Sequence, residues 1–294
     1  MKKAVGIFIA LFMVVSLQPA TANTTNSSIV IIDNAIDSTL PEFSGKLIYE
    51  VCTIVSGACP NGAGFQEGLG SATLPKSIIY SGNDSDHGTK MALVALNVNP
   101  NAKIIFIRAG RVVGKNVQKD ISPAALDSAL KWVSDNRSRF NIVSVSSSVA
   151  NETYKGSCPV TLSTNRGIVT NTISLINSGV AVFYSTGRSR TMKNVGFPAC
   201  IPQAIAVSAV NRFSQDDGFK VSPLANTGAE TDFYALGSFK LSTGDTGAFG
   251  QTSPATAALA AYYVKNYKGS YASTYDYLKS IVKPSPTNFV DVLG

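Results

Sequence analysis

The sequence predicts an α/β protein built around a mostly parallel sheet, and three observations point there. Short apolar runs of strand length alternate along the chain with segments of helical periodicity. The first of those runs, Ser28–Asp33, is continuously apolar and ends in a carboxylate, the pattern of a strand buried on both faces. Charged residues make up only 15% of a chain that is 45% hydrophobic. That supplies a core for one large domain and argues against a disordered chain. Repeats, heptads and low-complexity tracts are missing from the sequence.

In chain order, residues 1–22 read as a secretory signal peptide and not as part of the fold. Lys2 and Lys3 give a basic start, Val5 to Leu17 is apolar but short for a bilayer, and Ala20-Thr21-Ala22 supplies a small-x-small cleavage pattern. Residues 23–294 then form one domain of about 272 residues. The address is secreted or periplasmic, with no membrane association expected after cleavage.

The strand 28–33 opens the fold. A helix follows from His87, carrying Met91, Ala92, Val94 and Ala95, and leads to a second buried strand over 102–108. Ser122-Pro123 opens the next helix, with serine as N-cap and proline in the first turn. Leu126, Ala129, Leu130 and Val133 give that helix its apolar face. A strand over 141–146, a helix over 163–178, strands over 180–184 and 204–210, and helices over 253–266 and 274–282 complete the alternation. Residues 56–81, glycine-rich and without periodicity, read as a long surface loop. In parallel sheets of this kind the site lies at the carboxyl ends of the strands, where Asp33 stands.

Four cysteines in a secreted chain fit two disulfides, with three possible pairings. Cys52 and Cys59 are close, with Gly57 between them for a turn, so the simplest pairing is Cys52–Cys59 with Cys158–Cys200. There is no Cys-x-x-Cys, and the one histidine is distant in sequence from each cysteine, so no metal site is expected. The net charge of +7 falls to about +5 without Lys2 and Lys3. It is diffuse, with no Lys/Arg run interleaved with aromatics, so no nucleic-acid partner is expected. No cofactor is expected either.

The chain's one histidine, His87, sits in Asp86-His87-Gly88-Thr89-Lys90-Met91-Ala92. Histidine is the side chain best matched to proton transfer near neutral pH. Two further segments give it company. Ile31-Ile32-Asp33-Asn34-Ala35-Ile36-Asp37 runs on to Leu40-Pro41-Glu42-Phe43, and Thr252-Ser253-Pro254-Ala255-Thr256 runs into Ala257-Ala258-Leu259-Ala260-Ala261. Together the three resemble the aspartate strand, the His-Gly-Thr helix and the Thr-Ser-x-Ala helix of the subtilisin-like serine proteases, the subtilases. Val210-Asn211 and the turn-like Asp232-Phe233-Tyr234-Ala235-Leu236-Gly237 add to the resemblance, which covers nearly all of residues 23–294. The order Asp, His, Ser is that of subtilisins.

The resemblance implies a three-layer subtilisin-like sandwich and a secreted serine endopeptidase acting through Asp33, His87 and Ser253. His87 would take the Ser253 proton and pass it to the leaving amine, and Asp33 would hold the imidazole tautomer. It also implies a peptide or protein substrate bound along Ser146, Ser147 and Ser148, with Gly187 facing them. In the oxyanion position the family's asparagine is replaced by Arg188, within Ser185-Thr186-Gly187-Arg188, which implies slow turnover. Gln251 and Ala257 also depart from the family's glycine and proline. A second alignment sets Pro254 on that proline and puts Gly250 at the nucleophile position. It makes the chain a catalytically impaired subtilase-fold protein that binds peptides or protein partners. Asp33 falls about ten residues after the cleavage site, leaving no room for the family's folding propeptide. Either the fold forms without that assistance, or a separate inhibitor or folding-chaperone chain is the partner that supplies it.

Overall fold

Ser28–Asp33 forms strand β1 with all six residues buried. Its side chains alternate between two separate cores: Ile29 and Ile31 on one face, Val30 and Ile32 on the other. A strand covered on both faces needs helices on both, and the rest of the chain provides them. A computed structural model describes residues 26–55, 58–81, 85–111, 121–159, 165–212, 218–247, 250–284 and 288–293. Residues 1–22, expected to be a signal peptide, lie outside the described residues.

After β1 come β2 (Leu47–Cys52), β3 (Gln66–Glu67), α1 (Lys76–Ile79), α2 (His87–Val98), β4 (Lys103–Arg108), α3 (Pro123–Asn136) and β5 (Ile142–Ser147). Then follow β6 (Thr153–Tyr154), α4 (Arg166–Asn177), β7 (Ala181–Ser185), β8 (Val195–Gly196) and β9 (Ile205–Arg212). The chain closes with β10 (Phe219–Val221), β11 (Phe233–Leu236), α5 (Thr252–Lys265) and α6 (Tyr271–Ile281). The main sheet runs β10-β9-β7-β5-β1-β4-β2-β3, with β11 also on β9. Every pairing from β9 through to β2 is parallel, and β3 and β10 add antiparallel edges. Helices α2, α5 and α6 pack on one face and α3 and α4 on the other, giving three layers.

Local chemistry explains the helix starts. Ser122 Oγ accepts the Ala125 N–H at 3.2 Å, and Pro123 takes the first helical position, where its missing N–H is harmless. Ser270 Oγ accepts the Ser273 N–H at 3.1 Å, which starts α6 three residues ahead of the expected Thr274. Helix α5 is alanine-rich, and Ala255, Ala257, Ala258, Ala260 and Ala261 are all fully buried. Small side chains let it lie close to the sheet, where Ser144 Oγ of β5 donates to the Ala260 carbonyl at 3.1 Å.

Two expectations are corrected. Segment 56–81 holds β3 and α1, and Ala72 and Ile79 are buried at 0% and 1% exposure. Asp232 to Gly237 is not only a turn: Phe233–Leu236 is a strand parallel to β9. Both escape a periodicity argument because elements of two to four residues are too short to show a period. Cys52 pairs with Cys59 at a Cα separation of 5.9 Å, and Cys158 with Cys200 at 5.1 Å.

Candidate active site

Strands β1, β4, β5 and β7 end together at one rim of the sheet, with Asp33 and Arg108 in register. Asp33 closes β1 and is 2% exposed. His87 opens α2, and its Nδ1 lies 2.7 Å from Asp33 Oδ1. The same carboxylate oxygen accepts the Asn34 N–H at 2.8 Å. The His87 side chain is 24% exposed, so one edge of the ring is held while the ring itself reaches the surface.

The residues after His87 place it. A Cβ on Gly88 would stand 2.5 Å from the Ala35 carbonyl and 2.6 Å from Phe106 Cζ, so only glycine lets α2 begin this close to β1. Thr89 Oγ1 accepts the Asp37 N–H at 2.9 Å and ties the helix to the chain leaving β1. Asp37 is itself fixed by Thr39, by the Tyr80 hydroxyl at 3.0 Å and by Lys76 at 3.6 Å. Burial pushes its carboxyl up, but the hydrogen bonds from Thr39 and Tyr80 and the Lys76 charge outweigh that and hold it below the usual range. Burial, with Asp37 as its partner, pushes the Tyr80 phenol up to about 12.

Ser253 sits half-buried in the first turn of α5. Backbone N–H groups there have no helical carbonyl to donate to and favour negative charge. The turn is anchored by Ser185 Oγ, which donates to Thr252 Oγ1 at 2.6 Å and joins the end of β7 to the start of α5. Gln251 N–H donates to the Gly237 carbonyl at 2.9 Å.

These elements meet in a cleft of about 210 Å³ whose walls include Asp33, His87, Ser148, Asn151, Arg188 and Ser253. A smaller recess beside it is lined in part by Ser148, Gly187, Arg188 and Ser253. So the structure brings Asp33, His87, Ser253, Ser148, Gly187 and Arg188 together. It keeps Ser146 and Ser147 inside β5, 1% and 0% exposed and paired with β1 and β7 on either side, so neither reaches the cleft wall. Arg188 is exposed at the cleft edge. Gly250 stays out of the cleft lining: a Cβ there would stand 2.9 Å from the Val210 carbonyl. Asn34, Asn151 and Gln251 also line the cleft. Sequence reasoning did not find Asn151, because nothing in its local motif separates it from a loop asparagine. Among the described residues no group of three or more His, Cys, Asp or Glu could hold a metal ion.

An aspartate–histidine contact at the carboxyl end of a parallel sheet thus shares a cleft with a helix-start serine. The sequence profile of the subtilase family matches residues 24–277, and the chain belongs to that family of serine peptidases. It is 28% identical over 202 residues to a cuticle-degrading serine protease of Arthrobotrys oligospora, a match spanning 63% of this chain and 44% of that protein. The chain therefore spans less than half the length of that curated relative. Among solved structures it resembles a cold-adapted subtilisin-like serine proteinase, with a TM-score of 0.62 and 16% identity over 92% of this chain and 90% of that one. It also resembles the nisin leader peptidase of Lactococcus lactis, with a TM-score of 0.66 and 14% identity over 92% and 86%. At such identities the likeness concerns the fold.

Proposed function

We propose that the protein is a secreted endopeptidase that cleaves peptide bonds through Ser253, His87 and Asp33. The observation that carries the reading is the 2.7 Å contact from His87 Nδ1 to the buried Asp33, in one cleft with Ser253. Ser253 Oγ attacks the scissile carbonyl carbon while its proton passes to His87 Nε2. Asp33 accepts the Nδ1–H bond and stabilises the imidazolium. The tetrahedral intermediate collapses, the C–N bond breaks, and His87 returns the proton to the leaving amine. Water then attacks the acyl-enzyme, giving up a proton through His87, and the acid product leaves Ser253 as it began. The Ser253 N–H and the Arg188 guanidinium are the donors proposed for the oxyanion.

Two disulfides support an oxidising destination, extracellular or periplasmic. Among the described residues no helix is long and apolar enough to cross a membrane.

A second reading, a peptide-binding protein without useful turnover, rests on Arg188 being long, exposed and poorly preorganised for an oxyanion. A fluorophosphonate probe decides between them. The active reading expects covalent labelling of the wild type and none of Ser253→Ala; an unlabelled, folded wild type would leave the binding reading.

A further inference from the structure

We propose, resting on the peptidase reading above, that the recess beside Ser253 admits only small P1 side chains and that Ala150 sets the limit. P1 is the substrate residue whose carbonyl is attacked. The recess holds about 110 Å³. That is about half the volume of the adjoining cleft, with which it shares Ser148, Ala150, Arg188 and Ser253. Its lining includes Ser148, Ser185 and Thr252, small side chains with no large apolar one among them.

The back of the recess is closed by a single methyl group. Ala150 lines it, and its Cβ lies between Gly187 and Gly196: a Cβ built on either glycine would come within 3.0 Å of it. The two glycines leave a gap, and the alanine fills it. Without that methyl the recess would extend toward Gly196.

The closure is also rigid. The Asn151 N–H donates to the Phe197 carbonyl at 2.9 Å, and the Phe197 N–H donates to the Glu152 carbonyl at 2.8 Å. Strands β6 and β8 continue this pairing, and the Cys158–Cys200 disulfide joins the same two segments further on. The Gly196 N–H donates to the Thr186 carbonyl at 2.8 Å, fastening the rear wall to the Gly187 side. A large P1 side chain would have to break several backbone bonds to push Ala150 back. Glycine, alanine and serine fit without doing so.

The test uses the full chain and peptides identical except at P1. The expected result is a kcat/KM for P1 alanine about 10-fold or more above that for leucine or phenylalanine, the scale of one or two misfitted methylenes in a pocket. Ala150→Gly should raise the phenylalanine-to-alanine ratio about 10-fold, in a variant whose folding is checked by its melt. A wild type that takes phenylalanine or leucine as readily as alanine overturns the proposal. A second arm needs no turnover: product-like peptides ending in P1 alanine or phenylalanine are titrated against Ser253→Ala. Tighter binding of the alanine peptide upholds the subsite even if the wild type hydrolyses nothing, an outcome that would sink only the peptidase reading. Equal or tighter binding of the phenylalanine peptide, or binding of neither, overturns the subsite.

Discussion

Asp33 uses its two oxygens unequally. Oδ1 takes both His87 Nδ1 and the Asn34 N–H, while Oδ2 is buried and has no hydrogen-bond partner among the described residues. Asp33→Asn therefore fails in two ways. If the amide keeps its oxygen toward His87, the NH₂ group lies buried without an acceptor; if it turns, it stabilises the wrong imidazole tautomer. The expected loss is about 10⁴-fold in kcat, read by steady-state hydrolysis of a P1-alanine peptide. Arg188 should matter less. Loss of a preorganised oxyanion donor costs about 10²–10³ in turnover, and an exposed guanidinium supplies only part of that. Arg188→Ala should lower kcat by a smaller factor, and Arg188→Asn should hold or raise it; an unchanged rate in Arg188→Ala would mark the side chain as a bystander. At this scale the meeting of Asp33, His87 and Ser253 in one cleft was legible from the three motifs that carry them, with Gly88 giving the steric reason beside His87. Ala150 was not, because its role depends on two glycines that reach it only through the fold.

At the scale of elements, the two disulfides close chains of different length. Sequence separations of 7 and 42 residues give chain-entropy contributions of about 2.5 and about 4 kcal/mol. Urea unfolding of the two double Cys→Ser variants should show the larger loss for Cys158/Cys200, and an equal loss would argue that the denatured chain is already compact there. The longer elements were legible from the sequence: β1 matches its expected limits, and the principal helices lie within a few residues of theirs. Strand β2 was not, because Leu47-Ile48-Tyr49-Glu50-Val51-Cys52 carries a charge where a buried strand should not. The fold accommodates it by surrounding Glu50 with donors: the Gly70 N–H and the Thr73 hydroxyl both meet its carboxyl. Those donors lie in the 56–81 segment, so the segment read as a surface loop is what makes β2 possible.

For the molecule as a whole, that buried carboxyl sets a pH dependence. Burial pushes Glu50 up to about 6, against the partial opposition of Thr73 and Ser38, and pushes Asp232 up to about 6 as well. Between the ordinary carboxylate range and pH 6 the folded state binds more protons than the unfolded one. Stability contributed by these groups is thus fully present below the unfolded pKa and is lost as pH rises through the folded value. Glu50 accounts for about 2 kcal/mol of that fall. Urea midpoints should drop between pH 4.5 and 7, and Glu50→Gln should flatten the slope; an unchanged slope would place the titration elsewhere. Helix α5 has a consequence of a different kind. It packs against β1, β5, β7, β9, β11, α2 and α6, and it presents Ser253 at its tip. A helix whose neighbours come from the whole length of the chain cannot dock until nearly all of them are in place. Ser253, the proposed nucleophile, should therefore reach its place beside His87 late, so during refolding peptidase activity should lag behind the recovery of far-ultraviolet circular dichroism. A nascent chain would spend its vulnerable period, with its own segments still extended, carrying no working blade.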